Sequence, residues 1–235
     1  MLTFSAVGTK GGIGKTTTLC GLAAVCAARG KRTVLIDTDP NKPMVEFEEQ
    51  GRANEYWDDL VIARSYWDYQ ELNPAEMLDS LEDEGFDYCL IDTRGGEGEY
   101  HTNVVRVLDF MLLPTAPTKF DVDALEKTIA KLELLKDEYG HIAPYKILFS
   151  RNPSKLNKAE VTMVDDIYEL GAVMNTMIPV NAAIEHLPLV GLFGPLIAEL
   201  RATGKPLDLG QAMRYEKSFA VYENLFDEIH KALGV

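Results

Sequence analysis

At 235 residues and 46% hydrophobic side chains, the chain can bury one sizeable core, and a single domain over residues 1–235 is expected. Three cysteines (Cys20, Cys26 and Cys89) without C-x-x-C spacing argue against a disulfide framework or a zinc site, and are expected as buried apolar residues. A formal net charge of -14 argues against a surface that grips polyanions throughout, so any nucleic-acid contact has to be local.

No run of about 18 apolar residues occurs, and the first residues lack the basic-then-apolar layout of a secretory leader, so a soluble cytoplasmic protein is expected. Along the chain, short apolar runs alternate with stretches of helical periodicity. Strands are expected at 2–7, 32–37, 60–64, 87–92, 110–114, 145–150 and 175–179. Their continuous apolar character suits strands covered on both faces. Helices are expected at 15–29, closed by Gly30; at 43–53; at 74–84, opened by Asn73 and Pro74; and at 121–139, closed by Gly140. Three more are expected near 157–170, 193–203 and 214–233. The alternation predicts an α/β fold, a doubly wound and mostly parallel sheet flanked by helices, with ligands at the strand-to-helix turns.

"AVGTKGGIGKTT" (6–17) places a glycine-rich turn between the first strand and the first helix, the context in which such a turn binds phosphate. Gly11, Gly12 and Gly14 lack β-carbons, so consecutive N–H groups, including that of Ile13, can face phosphate oxygens. The helix beginning at Lys15, Thr16 and Thr17 adds unpaired N–H groups and the positive end of its dipole. Lys15 would reach the β- and γ-phosphates, and the Thr16 hydroxyl a magnesium ion. The strict pattern G-x-x-x-x-G-K-[ST] fails at its first glycine, where Thr9 stands. Two lysines, Lys10 and Lys15, can share one site when a polyphosphate lies between them.

The motif K-G-G-x-G-K-T-T resembles the deviant phosphate loop of the ParA/MinD class of ATPases. The resemblance implies a P-loop NTPase fold that binds ATP and Mg2+, with Lys10 crossing a nucleotide-dependent homodimer interface to the partner's ATP. "VLIDTDPNKP" (34–43) resembles that family's switch I, which implies that Asp39 orients the attacking water and Asp37 lies near the magnesium shell. "FDYCLIDTRGG" (86–96) resembles its Walker B and switch II segment, with Asp92 on magnesium. "MLLPTAPTKFDVDAL" (111–125) resembles the strand and proline-flanked turn that follow. "SRNPS" (150–154) and "IPVNAAIEHLPLVG" (178–191) resemble the adenine-holding loops, which implies contacts from Asn152, Pro179, Val180 and Asn181. Segments 34–57 and 86–125 look similar to plasmid partition and VirC-type DNA-transfer ATPases. Arg94 and Gly95 stand where many relatives carry a proline pair, and "NKP" replaces the common "Q-G-N".

Within this resemblance the expected job is an ATP-dependent dimer that binds DNA non-specifically in partition or transfer. Slow hydrolysis would be stimulated by a DNA-bound adaptor of centromere-binding or relaxosome type. The DNA face is expected at Arg201, Lys205, Arg214 and Lys217, diluted by Glu199, Asp208 and Glu216. A MinD-like role at a membrane surface is the alternative, using the apolar stripe Phe219, Tyr222, Leu225, Phe226, Ile229 and Leu233. Glu223, Asp227 and Glu228 oppose it with Lys231 alone, so packing on the domain is the better expectation and a membrane partner is not expected. An ATP-dependent synthetase of metabolism is a further alternative, without a substrate motif of its own.

Overall fold

The computed structural model describes residues 1–69, 72–93 and 99–235, apart from the side chains of 99–101. Six strands form one sheet: β1 (Leu2–Ala6), β2 (Thr33–Asp37), β3 (Val61–Ser65), β4 (Tyr88–Asp92), β5 (Phe110–Thr115) and β6 (Tyr145–Phe149). Their order is β3-β2-β4-β1-β5-β6, and every neighbouring pair is parallel. Ten helices are described: α1 (Lys15–Ala28), α2 (Pro43–Ala53), α3 (Pro74–Asp83), α4 (Glu99–Val105), α5 (Lys119–Tyr139), α6 (Lys158–Leu170), α7 (Ala182–Glu185), α8 (Leu187–Val190), α9 (Phe193–Ala202) and α10 (Pro206–Leu233).

The strands are largely apolar because the sheet lies between two cores. In β5, Phe110 and Leu112 join the cluster under α1, α2, α9 and α10, while Met111 and Leu113 join the one under α3, α5 and α6. In β4, Leu90 faces the first cluster, and Cys89 and Ile91 face the second. All three cysteines are buried and free, as their apolar settings implied. The stripe on α10 is spent on the domain: Tyr222, Leu225, Phe226 and Ile229 are buried.

Helix starts follow local capping. Asn73 and Asn157 each accept two backbone N–H groups and form capping boxes with Glu76 and Glu160. Two helices begin earlier than the apolar periodicity suggests: α5 at Lys119, behind a Thr118 cap, and α10 at Pro206. The strand expected at 175–179 does not form. Its Asn175 and Thr176 N–H groups donate instead to the Glu228 carboxylate of α10, at 2.7 and 2.9 Å. Only isolated bridges, Ile147 to Val173 and Asn152 to Pro179, flank that segment among the described residues. No described helix is long and apolar enough to cross a membrane.

Register places the site. Ala6, Asp37 and Asp92 are paired at the carboxyl ends of β1, β2 and β4, so both strand-end aspartates lie beside the loop that leaves β1.

Candidate functional site

Loop 7–14 runs from β1 into the first turn of α1. Gly12 and Gly14 have φ of +74° and +88°, values at which a β-carbon would strain the backbone. Gly14 occupies the N-cap of α1 without a side-chain cap, and no acidic residue lies in the first turn. The N–H groups of that turn therefore face the loop without a carboxylate of their own, the arrangement that favours an anion. Three flanking contacts hold the loop in shape: Ser150 Oγ donates to Ile13 O at 2.5 Å, Arg151 Nη1 to Gly12 O at 3.3 Å, and Thr9 N to Thr128 Oγ1 at 3.3 Å. Thr9 thus replaces the first glycine of the strict pattern with a tether to α5.

Lys15 is buried, and its Nζ donates to Lys10 O at 2.9 Å. Burial lowers its pKa, against the pull of Asp92 and Asp39. Lys10 points the other way and pairs with Asp121 Oδ1 of α5 at 2.5 Å.

Thr16 Oγ1 donates to Asp92 Oδ2 at 2.6 Å, whereas the buried Asp92 Oδ1 has no hydrogen-bond partner among the described residues. Burial pushes the Asp92 carboxyl up to about 7, and the nearby Asp37 adds to the effect. A hydroxyl and an unsatisfied carboxylate oxygen at the foot of a phosphate loop suit Mg2+, which takes one or two protein oxygens and completes its shell with phosphate and water. No cluster of three or more His, Cys, Asp or Glu able to hold a metal occurs among the described residues. Both Asp37 oxygens accept backbone N–H groups, from Asp39 at 3.0 Å and Met44 at 2.7 Å, so this carboxylate shapes the loop into α2. Asp39 is half-buried and accepts the Asn41 N–H at 2.9 Å.

Beyond the loop lies a cleft of about 320 Å³ lined by Lys15, Thr16, Thr17, Arg151, Pro179 and Glu185, among others. Of the residues expected there, Pro179 and Val180 line it. Asn152 and Asn181 turn elsewhere: Asn152 Nδ2 lies 3.3 Å from Met177 Sδ, while Asn181 caps α7 and donates to Ser218 Oγ at 2.9 Å. Arg94 and Gly95 lie outside the described residues. Of the expected DNA residues, Arg201 falls at the end of α9, Lys205 at the N-cap of α10, and Arg214 and Lys217 along α10. Arg201 is held by Glu216 through two contacts of 2.8 and 2.6 Å, while Arg214 and Lys217 line a separate groove of about 510 Å³. Sequence reasoning passed over Arg151 and Asp121, although "TKFD" (118–121) carries the spacing of a helix cap.

The sequence profile of the VirC1 protein family matches residues 1–196. The chain belongs to the VirC1 family. It is 34% identical over 179 residues to Protein virC1 of Rhizobium rhizogenes and 35% identical to that of Rhizobium radiobacter, each match covering 75% of both chains. VirC1 proteins fall in the ParA/MinD class of P-loop ATPases, and the fold agrees: apo McdA of Cyanothece superposes with a TM-score of 0.68 at 17% identity, covering 96% of this chain and 99% of that one. McdA is also known as an ATP complex. VirC1 membership and the shared fold agree on a P-loop ATPase architecture around loop 7–14.

Proposed function

We propose that this VirC1-family chain is a nucleotide-switched ATPase that dimerises around ATP, binds DNA non-specifically and acts in plasmid partition or transfer. The observation that carries the reading is the Thr16–Asp92 pair beneath a phosphate loop, with one buried carboxylate oxygen unclaimed among the described residues. Backbone N–H groups of residues 11–17 would bind the phosphates of ATP, and Lys15 would neutralise the β- and γ-groups. Thr16 and Asp92 would hold Mg2+, which supplies charge neutralisation to the phosphates. Asp39, anchored through Asp37 and beside Lys15, would orient the attacking water. Lys10 would reach the nucleotide of a second copy, and Arg214 and Lys217 would meet DNA phosphates. A DNA-bound adaptor would stimulate hydrolysis.

Sedimentation velocity with ADP, ATP, and ATP plus duplex DNA tests the reading on wild type and Asp39→Ala. The expected result is a monomer in ADP, a dimer in ATP, and a DNA-bound dimer that persists in Asp39→Ala because hydrolysis no longer dissolves it. A wild type that stays monomeric at millimolar ATP overturns the reading.

A further inference from the structure

The two loop lysines are handled differently. Lys15 is buried and turned inward, whereas Lys10 leaves the loop sideways and meets a carboxylate of its own chain. That carboxylate, Asp121, is fixed: its Oδ2 accepts from Thr118 Oγ1 at 2.5 Å, and its backbone N donates to Thr118 O at 3.0 Å and Thr118 Oγ1 at 3.3 Å. Its side chain is 9% exposed, against 39% for Lys10. The aspartate is thus the stationary partner, built into the first turn of α5, and the lysine is the one with room to move. Both line a groove of about 390 Å³ with Gly12, Pro117 and Arg151.

We propose that Asp121 is a positioning residue, a latch that keeps Lys10 on its own subunit until the phosphates of a second copy's nucleotide outbid it. The inference rests on the reading of Lys10 as the residue that crosses the dimer. A Lys10 drawn across an interface to a phosphate would give up its contact with Asp121. Every dimer therefore breaks two such pairs, by symmetry. A triphosphate with its extra charge replaces the lost partner better than a diphosphate does. The latch would accordingly set how sharply association distinguishes ATP from ADP.

Asp121→Asn tests it, because the amide keeps an oxygen for the Thr118 hydroxyl and turns a neutral group to Lys10. The ATP concentration that half-saturates dimerisation is expected to fall about three- to tenfold, the range for a partly exposed ion pair. ADP, expected to leave the wild type monomeric, should support measurable dimer in the variant. Asp121→Glu, which retains the charge, should follow wild type, and adding Lys10→Ala to Asp121→Asn should remove the gain. An Asp121→Asn variant with wild-type or weaker association in both nucleotides overturns the latch. Should neither protein dimerise with ATP, the dimer reading fails and the latch goes with it; a wild type that dimerises beside an unchanged variant sinks the latch alone. If the variant does not fold, amine-acylation footprinting of the wild-type protein without nucleotide decides. Lys10 is expected to react more slowly than the exposed Lys42, and equal rates overturn the proposal.

Discussion

Asp92 carries opposing demands that pH can separate. Its carboxyl titrates near 7 in the folded protein, against an ordinary value of 3.8, because burial penalises the charged form. Between those values the native state holds more proton than the unfolded chain, so stability falls as pH rises from about 4 to 7 and stays low above. Asp92→Asn removes that cost while leaving an oxygen for Thr16. Without Mg2+, the variant is expected to be more stable than wild type by about 1–3 kcal/mol at pH 8, the scale of burying one charge. The gap should shrink toward pH 4, as read by thermal melts at three pH values. Mg2+-dependent hydrolysis should be lost in the same variant, since an uncharged amide NH2 then stands where the unclaimed oxygen was. A gap that widens on acidification would mean that the carboxylate is stabilised, not strained, by its surroundings.

Among the elements, α1 and α10 are joined more tightly than side-chain patterning shows. A β-carbon on Gly21 of α1 would lie 2.2 Å from the Tyr222 ring of α10, and the Tyr222 hydroxyl reaches Thr17 O at 3.4 Å. Gly21→Ala is expected to cost about 1–3 kcal/mol by overpacking, read in a denaturant melt, and to weaken ATP binding because the first turn of α1 must shift. An unchanged midpoint would mean that α10 yields freely. That contact was invisible in the sequence, where Gly21 reads as a residue inside a helix. What was legible is the set of features that arise locally: six short, largely apolar strands, the glycine turn before Lys15, and capped starts such as Asn73. What was not legible depends on distant partners. Segment 175–179 reads as a strand by composition, but Glu228, more than fifty positions later, takes the N–H groups of Asn175 and Thr176. The contacts of Asn152 with Met177 and of Asn181 with Ser218 likewise emerge only once the chain is folded. Four-residue helices such as α7 and α8 are too short to show a period.

For the whole molecule, a net charge of -14 repels DNA, so the proposed DNA-binding role depends on how few cations are left uncommitted on one face. Arg201 is not one of them, because Glu216 already satisfies its guanidinium through two contacts. Arg214 and Lys217 have no ion-pair partner among the described residues, and they flank one groove with His186 and Gln211. Counter-ion release makes the difference measurable: each phosphate contact steepens the fall of log K with log salt by about 0.9. In an ATP-loaded dimer, Arg214→Ala with Lys217→Ala removes up to two contacts per subunit, and the slope should flatten by about 3 to 4. Arg201→Ala should leave the slope near wild type. Glu216→Gln should instead steepen it by about 2, one newly released guanidinium per subunit. Filter binding from 50 to 300 mM salt on a non-specific duplex separates these outcomes, salts of that order being those at which surface charges are progressively screened. A steep slope that Arg201→Ala abolishes and the α10 pair leaves intact would move the DNA contact off this groove, because an arginine locked to a glutamate at the end of α9 would then have to be the residue that lets go.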